Sequence, residues 1–467
     1  MRLVMKFGGV SVADGAKFRK VGSIVQRYVS RGDQVAVVTS AMHSVTNTLT
    51  DAATQASRKK RDYVKKAADD LAERHRKAAE DSIEDKEIRA RTLESLSATC
   101  EDLKNVLLGI AHIGELTPRS RDYVLGFGER LSAPLLASVL EDLGLKARAF
   151  TGGEVGIVTD DDYGSAQPLM NVTTLQVRQA LEPLMEDGVT PVISGFIAQT
   201  QEGIQTTMGR GGSDFTASIV GASIRCDEVW VWKDVDGLMT ANPKLVKNAK
   251  FIDSISFAEA MELAHFGAEV IHPKALECAA RYQLPFRVKS IADPDRQGSS
   301  IVSEAKVKDG DVVKAITNIN DVDLITVSGA SMVGTPRLPA KVLQILTDEA
   351  IDVLMISQSS SEESITLAIP KEGGSKAQNA LELSLLGSKQ VREVSMEAGL
   401  SIVAVVGAGM RGTPGVAARV FTTMAREGIN IRAIAQGSSE LNISFIIKRK
   451  DTERAVQALH DDFKLGG

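Results

Sequence analysis

Cysteine is scarce: the 467-residue chain holds three, Cys100, Cys226 and Cys278. Their number is odd and their spacing fits neither a zinc site nor a redox pair, so a disulfide framework is excluded and the cytoplasm is the expected compartment. Aromatic residues make up 4%, with Trp230 and Trp232 the two tryptophans, which leaves no stacking platform for single-stranded nucleic acid. The longest apolar run, Ile402 to Met410, is nine residues counting glycine, far short of the roughly 20 that span a bilayer. The amino end enters Leu3-Val4-Met5-Lys6-Phe7 without a long apolar stretch or cleavage site, so no signal peptide is expected. An excess of one charge is missing too. With 55 basic and 60 acidic residues the net charge is -5, which builds no field for a nucleic-acid backbone or an anionic membrane. The six histidines, at 43, 75, 112, 265, 272 and 460, form no metal spacing, no metal ligands are assigned, and no GxxxxGK[ST] loop occurs. The expected partners are small molecules.

What is present is a globular composition, 43% hydrophobic and 25% charged, at a length that suits two to four domains. From residue 1 to about 305, short β-branched runs alternate with helical stretches: Leu3 to Phe7, Gln34 to Thr39, Thr190 to Ala198, Glu228 to Lys233 and Pro285 to Ser290. This is the pattern of an α/β domain with a mainly parallel sheet, whose ligands bind at the carboxyl ends of strands. Between residues 58 and 104, 13 basic and 12 acidic residues nearly cancel, as on the solvated face of long helices.

Beyond about 306 the chain repeats itself. Gly329 to Pro336 (GASMVGTP) returns as Gly407 to Pro414 (GAGMRGTP), and Gln358 to Glu362 (QSSSE) as Gln436 to Glu440 (QGSSE). The offset is 78 without a gap, and 17 of the 41 positions from 329 to 369 are identical to their counterparts, so two copies of one unit are present. Each copy reads strand, glycine turn, helix, strand, strand, helix. The first can close with a strand at Val391 to Glu397, whereas its counterpart in the second would fall beyond residue 467. An unpaired sheet edge is a liability, and Val312 to Ile319 is a spare apolar strand that can fill it. The expected division is 1–305 for the first domain, 320–397 for the first copy, and 306–319 with 398–467 for a discontinuous second copy.

Three polar, glycine-rich segments at strand ends carry chemistry. Lys6-Phe7-Gly8-Gly9 follows the first strand, where adjacent glycines bring backbone amides to an anion and Lys6 adds a full charge. Gly209-Arg210-Gly211-Gly212-Ser213-Asp214 precedes a helix expected from Phe215; Arg210 can fork onto a carboxylate while Ser213 and Asp214 cap the helix. Lys233-Asp234-Val235-Asp236-Gly237 is a charged turn after a strand. Ser40-Ala41-Met42 with Thr46-Asn47, and Phe127 to Ser132 (FGERLS), support them. The GxGxxG at Gly407 to Gly412 is a decoy for a dinucleotide loop, because its repeat partner lacks the middle glycine and no acidic residue ends the next strand.

In this order, with FGAxVIHP at 266 to 273, the segments resemble an aspartate kinase of the amino-acid-kinase family, and the QxSSE repeats resemble paired ACT domains. The resemblance implies a three-layer α/β/α kinase domain with a mainly parallel sheet and two α+β ACT domains of βαββαβ order. It implies ATP and Mg2+ as cofactors, L-aspartate as substrate, and an oligomer, a homodimer or homotetramer joined through ACT edges. Lys6, Arg210 and Asp214 take the catalytic roles. Ser40, Thr46, Glu129, Phe196, Arg210 and Ser213 bind aspartate, with Glu129 facing the ammonium. Lys6, Gly8, Gly9, Lys233, Asp234, Val235, Asp236, Met239 and Lys244 serve the nucleotide. Met332, Gln358, Met410, Gln436 and Asn442 serve an amino-acid effector, threonine first and lysine second. Val10, Lys233, Met239, Lys244 and Glu269 depart from the family's usual residues, and Glu269 reverses a charge. A glutamate, acetylglutamate or nucleotide kinase would share the glycine loop but lack the paired units, and a catalytically inactive amino-acid sensor is the alternative of another class.

Overall fold

The structure, a computed structural model, describes residues 1–267, 271–305, 312–329, 337–358, 364–386 and 391–466. Glu269, Met332 and the serine run at 359–361 lie outside them. The chain forms two compact units: Met1–Leu238 with Asp253–Phe257 and Glu269–Ala305, and Met239–Ile252 with Ala258–Ala268 and Lys306–Gly467. Residues 239–252 and 258–268 thus group with the repeats, whereas the expected domain ran unbroken to 305.

The first unit is built on strands β1 (Arg2–Phe7), β2 (Gln34–Thr39), β3 (Ala147–Phe150), β4 (Thr190–Ser194), β5 (Ile197–Gln199), β6 (Gln205–Thr207), β7 (Glu228–Lys233), β8 (Ser254–Ser256), β9 (Phe286–Ser290) and β10 (Ser299–Val302). Among the described residues, eight of them form one sheet in the order β3-β4-β2-β1-β7-β9-β10-β8, parallel except at the β9–β10 pair. Leu3, Val4, Met5 and Phe7 of β1 are fully buried, as a strand covered on both faces requires. The expected run from Thr190 to Ala198 breaks at Phe196, whose φ of 68° turns the chain so that β5 pairs with β6 instead of extending β4. The charged stretch forms two long helices, Arg61–Ser82 and Lys86–Ile113. They bury Val64, Leu71, Leu103 and Leu107, while Arg76 bridges Glu73 and Glu80 in solvent.

The second unit holds β11 (Ala315–Ser328), β12 (Met355–Gln358), β13 (Ser364–Pro370), β14 (Glu393–Val406), β15 (Ala433–Ala435) and β16 (Asn442–Lys448) in one antiparallel sheet, ordered β12-β13-β11-β14-β16-β15. Two 14-residue strands run through both copies. The first half of β11, Ala315 to Ile319, pairs with Ile402 to Val406, and its second half, Val322 to Ser328, pairs with β13 on one side and with Glu393 to Leu400 on the other. Side-by-side pairing of the repeats is therefore accomplished within one chain. The outer strands β12 and β15 also touch, Ser357 Oγ donating to the Ile434 carbonyl at 3.3 Å. Each copy has its own core, Ile325, Val342, Leu367 and Leu381 in the first, Val403, Val420, Phe445 and Leu459 in the second.

Candidate active site

The carboxyl ends of β1, β2 and β4 and the start of helix Gly212–Ser223 surround a cleft of about 400 Å³. Lys6, Gly9, Ser40, Thr46, Glu129, Phe196, Arg210, Ser213 and Asp214 line it together. These nine come from five separate stretches of sequence.

Lys6 is buried, the penultimate residue of β1, and its Nζ lies 2.5 Å from Asp214 Oδ1. The contact is an ion pair without hydrogen-bond alignment. Burial acts to raise the Asp214 carboxyl, but the charges of Lys6 and Lys233 outweigh it and hold the carboxyl below its ordinary value. A β-carbon at Gly9 would sit 2.8 Å from the Ala41 carbonyl, so glycine there lets the β1 and β2 loops touch. The helix after KFGG is a single 3-10 turn, Gly9–Val12, and the α-helix begins only at Gly15, so the anion cradle rests on amides and Lys6 more than on a helix end.

The glycine-rich loop departs from expectation. Its helix starts at Gly212, with Gly211 at φ 73° in the N-cap position. Ser213 and Asp214 are therefore first-turn residues and make no cap, which leaves both side chains for the cleft. The loop is clasped tightly: a β-carbon on Gly212 would approach Phe196 to 2.9 Å, and one on Gly195 would approach Ser213 to 2.7 Å. Phe196 is fixed in its left-handed conformation by donating its N–H to Thr216 Oγ1 (3.1 Å) and accepting from Met208 N (3.0 Å).

Glu129 sits in the first turn of helix Phe127–Asp142 and is buried. Its Oε1 accepts from Ala41 N at 3.0 Å, while Oε2 has no hydrogen-bond partner. Burial pushes this carboxyl up to about 8, against the smaller opposing effects of the Ala41 amide and the Lys6 charge. A buried carboxylate oxygen without a protein hydrogen-bond donor suits a cation from the ligand. Ser132 and Ser194 fix the surroundings by donating to the Ser40 and Glu129 carbonyls (2.8 and 3.1 Å).

Other expected residues are not among those lining the cleft, although the charge of Lys233 reaches Asp214. Lys233 ends β7, Asp234, Val235 and Asp236 are exposed in the turn after it, and Asp236 pairs with Arg296. Met239 and Lys244 fall in the second unit. Of the effector residues, Met410 is buried in the core of the second copy. Asn442 donates to Glu262, whose helix, Phe257–His265, also brings Glu259 Oε1 to the Ala408 amide at 2.7 Å. Gln358 and Gln436 are exposed. Sequence reasoning missed His272: it contacts Gly211 and donates its backbone N–H to Asp214. A histidine directly before a helix-starting proline was the available signal.

Residues 1–290 match the profile of the amino acid kinase family, and 325–385 and 403–463 each match the ACT domain, the latter enclosing the GxGxxG of 407–412. The chain is 31% identical to Aspartokinase 1, chloroplastic, of Arabidopsis thaliana, over 98% of this chain and 80% of that one. It is 33% identical to Bifunctional aspartokinase/homoserine dehydrogenase 1, chloroplastic, of Zea mays, over 99% of this chain and 50% of that one, so it spans about half the length of such bifunctional relatives. The solved structure of E. coli aspartokinase III in complex with aspartate and ADP superposes with a TM-score of 0.83 at 29% identity, covering 99% of both chains, and its complex with lysine and aspartate gives 0.81. With its kinase profile over residues 1–290 and its duplicated ACT units, the chain belongs to the amino acid kinase family and carries paired ACT domains.

Proposed function

We propose that the protein transfers the γ-phosphoryl of ATP to the β-carboxylate of L-aspartate, giving 4-phospho-L-aspartate for the synthesis of lysine, threonine and methionine. The observation that carries this reading is one cleft with two kinds of charge deficit. The buried, unpartnered Glu129 Oε2 takes an α-ammonium, and the Lys6 amine with the Gly9 loop takes phosphate oxygens. Ser40, Thr46, Phe196 and Ser213 line the space between, and Arg210, exposed on the rim, takes a carboxylate. The E. coli relative holds aspartate and ADP.

The nucleophile is a carboxylate with an ordinary pKa of about 4, ionised at neutral pH, so no general base is required. The barrier is electrostatic, an anion approaching a polyanion, and catalysis rests on positioning and neutralisation. Lys6 withdraws charge from the transferring phosphates, and Asp214 holds Lys6 at 2.5 Å. Among the described residues no group of three or more Asp, Glu, His or Cys side chains is placed to hold a metal ion by itself. Mg2+ on a nucleotide needs one or two carboxylates besides phosphates and water, and Asp214 fits that need; the ion would supply further neutralisation of phosphate charge. Lys233, Gly8 and the turn at Asp234–Asp236 would lie along the nucleotide.

The ACT pair supports feedback by an amino acid, threonine in first place for the resemblance of the 359–364 serine run to threonine-sensitive enzymes, lysine in second for the E. coli lysine complex. The pairing of Ala315–Ile319 with Ile402–Val406 supports a split second copy with the first inserted, and exposed Ile356 and Ile434 on the outer strands suit a homodimer or homotetramer. Among the described residues no helix is long and apolar enough to cross a membrane, and the three cysteines are free and buried, which suits a reducing cytoplasm. Hydroxylamine trapping with ATP, Mg2+ and aspartate, glutamate or acetylglutamate tests the reading. Hydroxamate formed with aspartate is expected; hydroxamate with another acid, or with none, rejects it.

A further inference from the structure

The loop that carries Arg210 and Asp214 is gripped from a second direction by His272. A β-carbon at Gly211 would come within 2.1 Å of His272 Cγ, and Gly211 has a φ of 73°, so both the space and the backbone exclude a side chain there. His272 donates its backbone N–H to the Asp214 carboxylate. Its Nδ1 accepts from Lys274 N in a long contact of 3.4 Å that caps helix Pro273–Arg281. An accepting Nδ1 requires the neutral ring with its proton on Nε2. The charged groups facing the ring are Asp214 and Arg210 from the loop and Lys274 from its own helix.

We propose that His272 is a positioning residue of the phosphoryl-transfer site, its ring and backbone amide fixing Gly211 and Asp214 so that Asp214 holds Lys6 in register. The role rests on the kinase reading above.

His272→Asn keeps a side-chain acceptor for the helix cap and the backbone amide but removes the ring that clasps Gly211; His272→Ala removes the acceptor as well. With ATP, Mg2+ and aspartate, kcat is expected to fall about 10- to 100-fold in both, more than KM for aspartate rises, because the loop loses its register. Turnover within twofold of wild type in His272→Asn overturns the proposal. Amide hydrogen exchange at residues 209–214 gives a reading independent of catalysis: it is expected to speed up in both variants while β1 and β2 keep their wild-type rates, and unchanged exchange in the loop overturns the proposal. If the wild type makes no aspartyl hydroxamate, the kinase reading fails while the exchange rates still decide for or against His272.

Discussion

Lys6 and Asp214 form a buried pair, and removing one partner leaves the other charge without compensation, typically a loss of about 3 kcal/mol or more. Lys6→Ala is therefore expected to lower Tm as well as to cut turnover by about 10³-fold. Adding Asp214→Asn to it should restore much of the Tm and none of the turnover; if the double variant melts no higher than the single one, the ion pair is not what the lysine stabilises. Glu129 gives the opposite sign. Its carboxyl is raised from 4.5 to about 8, so its favourable contribution is complete below pH 4.5 and is lost as pH rises towards 8, and at pH 7 the empty site holds a proton. An arriving ammonium must displace that proton, which weakens aspartate binding about tenfold at pH 7 relative to the ionised site. Titration calorimetry in buffers of different ionisation enthalpy should show a proton released on binding at pH 7 and affinity rising up to about pH 8. Glu129→Gln should bind aspartate weakly, without that pH dependence, and melt higher than wild type at pH 7. A wild-type affinity that is flat between pH 6 and 8 would count against the whole assignment of Glu129.

Elements were legible where their pattern was local. β2 and β7 fall where β-branched and aromatic runs place them, and β1 and β9 differ by one residue, because a strand covered on both faces needs a continuous apolar run. The break at Phe196 was not legible: a non-glycine residue at φ 68° is held there by Thr216 and Met208, both from other elements. The same holds for the start of helix Gly212–Ser223, where two positive-φ glycines and the ring of His272 shift the boundary by three residues from Phe215. The cleft residues were legible as separate motifs, but the orphaned Oε2 of Glu129 is a property of packing that no spacing encodes. The two copies also differ in a way that spacing does not encode. The copies are alike in sequence, yet the turn at Ala408 in the second already receives a carboxylate from Glu259, and its Asn442 is held by Glu262. Glu259 is buried, so Glu259→Ala should cost about 2 kcal/mol through the loss of its charge-assisted bond to the Ala408 amide. Denaturant unfolding of the full chain reads this, and an unchanged midpoint would show that the bond contributes nothing.

At the scale of the whole molecule, the 78-residue repeat and the paired halves of β11 and β14 make one statement about how the chain can be cut. Ile319 lies opposite Ile402 in an antiparallel pair, so the chain leaves the second copy and returns to it at neighbouring positions. Between them lie the first copy and its own core of Ile325, Val342, Leu367 and Leu381. An inserted domain whose ends are adjacent can be removed without opening its host. Deleting residues 322–400, so that Asn320-Asp321 joins Ser401 as a tight turn, should leave a monodisperse chain that keeps aspartate-dependent hydroxamate formation and loses inhibition by threonine or lysine. Ending the chain after Glu397 should do the reverse, because Ala315 to Ile319 would lose their partners Ile402 to Val406 and present an apolar strand edge. Size-exclusion chromatography separates the two outcomes. If the 322–400 deletion aggregates while the truncation stays dispersed, the second copy is not the host, and the sheet has to be divided at the junction of the two long strands instead.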